Sequence, residues 1–268
     1  MALRVLVTRP ERGAARSAKK LGAMGFEPIL LPLTEIHPLP VAADEPLRQG
    51  MVLTPLPTPP HKGEGNSETL TPSSSLWGGG ATAVAVTSAN AIRHAPKELI
   101  AALAHLPCYA VGEKTARAAR EAGFSSVEQG PGDAEGLAAA MTADFAGKSV
   151  VYLCGRVRFP GFEQRLAAAH IAVFPVETYE TLGVDHDSAT VSERLGGLPV
   201  DAVLLYSAKA AAAMLTLGGR PALAHLFEDA TLLCLSERVA AVLFSSGGDK
   251  IRVSRKPNEE ALFSLLPV

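Results

Sequence analysis

The sequence predicts an α/β fold with mainly parallel sheets, built from an internal duplication. Two observations carry this. Short buried runs alternate with amphipathic helical stretches along nearly the whole 268-residue chain, the pattern of parallel strands joined by crossover helices. The second is an echo: "YAVGEKTARAAREAGF" (109–124) returns as "LCLSERVAAVLFSSGG" (233–248), each copy being a strand, a small residue and a helix start.

The elements follow in order. "RVLVT" (4–8) is a strand, and "PERGAARSAKKLGAMG" a helix with Ala14, Ala18 and Leu21 on one face and Gly25 as its stop. "EPILLPL" is a second apolar run. The pairs "TAVAVT"/"SANAIRH", "CYAV"/"GEKTARAAREAG" and "SSVEQ"/"DAEGLAAAMTADF" complete the first half. "SVVYLC"/"FEQRLAAAH", then "IAVFPVETY", open the second. "DAVLLY"/"SAKAAAAMLTL", "TLLCL"/"SERVAAVLFSSGG" and "KIRVS"/"NEEALFSLL" close it. The Pro-, Thr-, Ser- and Gly-rich stretch 51–80 has no period and is expected to be a flexible insertion.

The repeat extends beyond the opening echo. "VTSANAI" (86–92) matches "LYSAKAA" (205–211), pairing Ser88 with Ser207. Gly112 pairs with Ser236, Lys114 with Arg238 and Thr115 with Val239. "VLVTRPERG…EPILLP" is echoed more faintly by "VVYLCGRVRFPG…IAVFPVETYE", giving similar halves of about 1–145 and 148–268.

Composition removes several classes. A net charge of −2 and a pI near 6.4 offer no basic field for nucleic acid or an anionic membrane, so anions must be met by locally placed donors. Cys108, Cys154 and Cys234 lie far apart without a CxxC spacing, and the seven histidines are scattered, so no metal site is suggested. No apolar run is long enough to span a membrane, and the opening "MALRVLVTRPERG" enters a strand without a signal-peptide stretch. The expectation is a soluble, cytosolic protein.

"AVGEKT" lacks the earlier glycine of a phosphate-binding loop, and its repeat replaces Gly112 by serine. Both copies keep a small residue before a helix N-terminus, where backbone N–H groups and the positive dipole end suit carboxylates as well as phosphates. Two such half-sites facing each other would line one anion-binding cleft.

The ordered set "VLVTRP", "LGAMGFEPILLPL", "VAVTSANAI", "YAVGEKTARAAREAGF", "GDAEGL", "VETYETL", "VLLYSAKAA" and "LCLSERVAAVL" resembles the uroporphyrinogen-III synthase family over essentially the whole chain except 51–80. The resemblance implies two similar doubly wound parallel-sheet lobes joined by a two-stranded connector. Lobe one would be 1–37 plus 178–268 and lobe two 40–175, with "PLTEIHPLP" and "PVETYET" as connectors.

It also implies an enzyme, a cyclising hydro-lyase of tetrapyrrole (heme, siroheme, cobalamin, chlorophyll) biosynthesis. Such an enzyme closes hydroxymethylbilane to uroporphyrinogen III, inverting the last pyrrole ring with loss of water. The expected partners are that substrate and, transiently, the hydroxymethylbilane synthase that makes it. No cofactor, nucleic acid or membrane is called for, and a monomer suffices. The alternative from another class is a non-catalytic, cytosolic two-lobed binding protein for a small anion.

Tyr179 in "VETYETL" matches the family's connector tyrosine, placed to give a proton or hydrogen bond to the departing hydroxyl; otherwise it is a packing residue. Ser88 and Ser207 either cap their own helices or donate to a substrate carboxylate, with Asn90 one step inside. Thr8 and Arg9 end the first strand, and Arg9 either pairs with an acetate or propionate or forms a surface ion pair. Gly112, Lys114 and Thr115, with Ser236 and Arg238, form the duplicated anion half-sites, and Arg156 with Arg158 flanks a further loop.

Overall fold

The computed structural model describes residues 2–42, 80–243 and 248–267. The insertion expected at 51–80 therefore lies outside the described residues, apart from Gly80. The chain forms two compact units, one of residues 1–36 and 181–268, the other of residues 37–180.

The first unit is a five-stranded sheet of β1 (Arg4–Val7), β2 (Glu27–Leu30), β9 (Ala202–Leu205), β10 (Thr231–Cys234) and β11 (Ile251–Val253), strands being numbered along the whole chain. Their order is β2-β1-β9-β10-β11 and every pairing is parallel. Alternate side chains point to opposite faces, and both faces are covered. Leu6, Val203 and Leu205 meet Val191 and Leu195 of α7 (Ser188–Leu195) and Ala211 and Met214 of α8 (Ala208–Gly218). Helices α9 (Ala224–Phe227) and α10 (Glu237–Ala240) close the same face. Val5, Val7 and Leu204 meet Ala14 and Leu21 of α1 (Glu11–Ala23) and Leu262 and Phe263 of α11 (Glu259–Phe263). Each fully buried leucine or valine contributes about 1.5–3 kcal/mol, so the apolar runs that mark the strands also hold the layers together.

The second unit has β4 (Ala81–Val86), β5 (Cys108–Ala110), β6 (Val127–Gln129), β7 (Ser149–Gly155) and β8 (Ala172–Gly183), with β3 (Thr34–Pro38) at one edge. The order is β3-β8-β7-β4-β5-β6, and β4 to β8 are joined by parallel pairings. One face packs Val84, Val86, Val151 and Leu153 on α2 (Ala89–Arg93), α3 (Lys97–Leu103) and α4 (Glu113–Ala122). The other packs Ala83, Ala85, Val150 and Tyr152 on α5 (Ala134–Phe145) and α6 (Pro160–Ala168).

The duplication is visible in the topology. If β1 and β2 match β7 and β8, and β4–β6 match β9–β11, the two sheets have the same spatial order, β2-β1-β9-β10-β11 against β8-β7-β4-β5-β6. The registers agree as well: Val5 lies opposite Pro28 as Tyr152 lies opposite Pro175. Apart from the edge strand β3, each unit thus draws two strands from one half of the sequence and three from the other. The chain passes between the units twice, along β3 and along β8, which are neighbours in the second sheet.

The two copies differ in helix length. The ten-residue α4 carries the i,i+4 pair Arg117–Glu121 (3.7 Å) and ends at Gly123 with φ +104°, a left-handed stop. Its counterpart α10 has only four residues before the chain turns. "SERVAAVL" has no such charge pair.

Candidate functional site

In open parallel sheets ligands bind outside the carboxyl ends of the strands, where the strand order reverses. In the second unit the reversal falls between β4 and β7, and in the first between β1 and β9. Most of the residues singled out from sequence sit at or just beyond these ends.

In the second unit, Ser88 follows β4 and N-caps α2, its Oγ accepting from Asn90 N at 3.2 Å. The cap is therefore real, and the same hydroxyl lies near enough to Tyr179 to act on its phenol. Tyr179 is half-buried on β8. It reaches this place through a β-bulge: Cys154 lies opposite Glu177, but Gly155 lies opposite Tyr179, leaving Thr178 as the extra residue. Thr178 is fully buried and pins the bulge by donating from Oγ1 to Ala91 O at 2.7 Å. The Tyr179 ring lies against Gly155, and its centroid is 6.2 Å from that of His94. Burial raises the phenol above its usual pKa, the nearby Ser88 hydroxyl opposes this, and the proximity of Cys154 adds to it. At neutral pH the group is a protonated donor.

Gly112 precedes α4 in extended backbone and caps it without a side chain. Thr115 N and Ala116 N both return to Gly112 O, so the N–H groups of Glu113 and Lys114 are those the helix itself leaves unused. A Cβ on Gly112 would come within 3.2 Å of Gly132 Cα, so the turns after β5 and β6 pack backbone to backbone. Lys114 is exposed, whereas Thr115 turns into the core. Asn90 is half-buried in the first turn of α2. Arg156 is exposed but paired with Glu180 at 2.8 Å and Glu177 at 3.4 Å. Arg158 is held by Glu177 at 2.8 Å and Glu163 at 3.1 Å.

In the first unit, Thr8 is fully buried and its hydroxyl proton goes to Leu204 O at 2.6 Å, so it joins β1 to β9 and has no donor left for a ligand. Ser207 N-caps α8 through Ala210 N at 3.1 Å. Ser236 starts α10 with no side-chain capping bond, and Arg238 is exposed beside it.

Arg9 is part of a network the sequence did not reveal. Its Nη1 donates to Glu259 Oε1 at 2.9 Å, and its guanidinium lies 4.5 Å from the ring centroid of Tyr206. Glu259 also accepts from Ser17 Oγ at 2.5 Å and from Lys20 Nζ at 2.7 Å. Burial alone would raise this carboxyl. The hydrogen bonds from Lys20 and Ser17, with the charges of Arg9 and Lys20, outweigh it and hold the group below its usual range. The only sequence sign of Glu259 was its place after the Asn258 cap.

Among the described residues, no group of three or more His, Cys, Asp and Glu side chains is placed to hold a metal ion. None of the described helices is long and apolar enough to cross a membrane.

Two duplicated parallel α/β units that exchange strand pairs define the class: a two-unit α/β protein with parallel sheets. The family model for uroporphyrinogen-III synthase HemD matches residues 15–264. The chain belongs to that family, whose members are enzymes of tetrapyrrole synthesis acting on a small-molecule substrate. Among solved structures it is similar to a uroporphyrinogen-III synthetase from Helicobacter pylori, with 17% identity, 99% of this chain and 98% of that one covered, and a TM-score of 0.61. It is likewise similar to a mutant uroporphyrinogen III synthase from Thermus thermophilus, with 20% identity, 98% and 96% coverage and a TM-score of 0.54. At these identities the likeness shows the fold. No individual curated protein matches the chain.

Proposed function

We propose that this protein closes hydroxymethylbilane into uroporphyrinogen III, with Tyr179 as the group that assists departure of the terminal hydroxyl. The observation that carries the proposal is the half-buried, protonated phenol of Tyr179, lying across Gly155 at the end of β7 and close to Ser88 after β4, in a chain of this family. Its O–H gives a proton, or a strong hydrogen bond, to the leaving oxygen. The C–O bond breaks, water departs, and the pyrrole-stabilised cation remains. The substituted carbon of the last ring then attacks the cationic carbon to give a spiro centre. Rearrangement of that centre and loss of a ring proton give the inverted macrocycle. Every atom is accounted for by substrate, product and one water, with the phenol reprotonated at the end.

The substrate's carboxylates need donors more than a charged field, because unguided closure gives the non-inverted isomer and positioning is the enzyme's main task. Each unit offers such donors of its own: in the second the N–H groups of Glu113 and Lys114 at the start of α4 and the exposed Lys114 side chain, in the first the hydroxyls of Ser207 and Ser236 and the exposed Arg238. Arg9 keeps guanidinium N–H groups beyond the one bonded to Glu259. Arg156 is open enough to exchange a glutamate for a substrate carboxylate.

The test is direct. Purified protein is mixed with freshly generated hydroxymethylbilane, the products are oxidised, and the uroporphyrin isomers are separated. A dominant type III isomer is expected, against mainly type I without protein; unchanged type I from folded protein would overturn the proposal. Tyr179→Phe is expected to slow type III formation by roughly tenfold or more without abolishing it.

A further inference from the structure

Gly155 ends β7, and its backbone does not require glycine: its φ is outside the left-handed region that six other glycines of the described chain occupy. The nearest obstacle to a side chain there is the ring of Tyr179. A Cβ on Gly155 would lie 2.7 Å from Cζ of Tyr179 and 3.0 Å from its Cε1 and Oη. That ring cannot simply swing aside, because one neighbour is His94 and its backbone is set by the bulge after Glu177, which Thr178 pins to Ala91 O.

The duplication provides an internal comparison. The matching registers of β1–β2 and β7–β8 place Thr8 where the second unit has Gly155, and Pro32 where it has Tyr179. Without the phenol, the position holds a buried β-branched residue whose hydroxyl ties β1 to Leu204 O of β9. With the phenol, it holds glycine.

We propose that Gly155 is a positioning residue for Tyr179: lacking a side chain, it lets the phenol lie across the end of β7 and hold its hydroxyl at the carboxyl edge. The inference rests on Tyr179 being the donor in the reaction.

The experiment compares Gly155→Ala, Tyr179→Phe, Tyr179→Ala and the Gly155→Ala doubles with each tyrosine variant, reading kcat and KM for type III formation and Tm without substrate. Gly155→Ala is expected to lower kcat about tenfold or more, leave KM within about twofold, and lower Tm by about 4 °C or more. In the Tyr179→Ala background the same substitution should cost no further Tm, because the ring it strikes is gone. In the Tyr179→Phe background it should cost no further kcat. Equal Tm losses with and without the ring, or a wild-type kcat in Gly155→Ala while Tyr179→Phe is slow, would overturn the positioning role and leave the reading of Tyr179 standing. A Tyr179→Phe protein as fast as wild type would overturn both. Should Gly155→Ala alone fail to fold, folding of the Tyr179→Ala double supports the inference, and its failure to fold refutes it.

Discussion

Glu259→Gln is the sharpest probe of the first unit. Glu259 accepts from Arg9 at 2.9 Å, Ser17 at 2.5 Å and Lys20 at 2.7 Å, and its side chain is only 11% exposed. Hydrogen bonds to a charged group contribute about 1.5–3 kcal/mol each, but an amide oxygen still accepts one of them. Lys20 is 53% exposed, so its ion pair adds less than about 1 kcal/mol. Loss of the negative charge from the first turn of α11 adds about 0.3–1 kcal/mol. The net cost is about 2 kcal/mol at pH 7, or a Tm lower by about 4–8 °C for a chain of this size. The pH dependence has a definite sign. The folded protein holds this carboxyl below its unfolded value of about 4.3. Its stabilisation is complete at pH 7, fades as pH falls past the unfolded value, and is gone once pH drops through the folded one. Glutamine does not titrate, so the wild-type and variant Tm values should converge below about pH 4. Thermal unfolding of both proteins from pH 7 to pH 3 measures this. Equal Tm values at pH 7, or a gap that persists undiminished at pH 3, would refute the reasoning.

Two further outcomes are expected. Ser207→Asp keeps an N-cap acceptor for Ala210 N and should leave Tm within about 1–2 °C, since aspartate caps as well as serine. It also places a negative charge where a substrate carboxylate is proposed to bind, so KM should rise severalfold; an unchanged KM would remove Ser207 from the binding set. The thiols of Cys108, Cys154 and Cys234 are buried and pushed up to about 12, chiefly by that burial. An aromatic disulfide reagent at pH 8 should therefore label none of them in the native protein and all three after denaturation, and rapid native labelling would contradict the packing.

What could be read from the sequence follows from what each signal measures. Hydrophobic periodicity reports burial, so β1, α1, β9 and most other elements were legible, while the helices α3 and α7 went unmarked, and the echo of "GEKT" in "SERV" exposed the duplication. Periodicity is silent on which half supplies which strand. Swapped and unswapped units bury the same faces of equivalent strands, so the apolar pattern is identical in both, and the exchange of β1–β2 for β7–β8 entered only through the family resemblance. Side-chain partners are harder still. Ser88 and Ser207 were legible as caps because a cap is a local interaction, whereas Arg9 closes on Glu259 from the other end of the chain, and no local rule points there. Thr8 shows the cost of reasoning by position alone. It stands at a strand's carboxyl end, where ligand donors belong, yet its hydroxyl is consumed by Leu204 O because the neighbouring strand comes from a segment nearly two hundred residues away. Tyr179 is the opposite case: the family resemblance singled it out, but where its ring lies depends on an extra residue in β8 and a missing side chain in β7. A glycine without a positive φ looks like nothing in a sequence; its reason is the ring that needs the space.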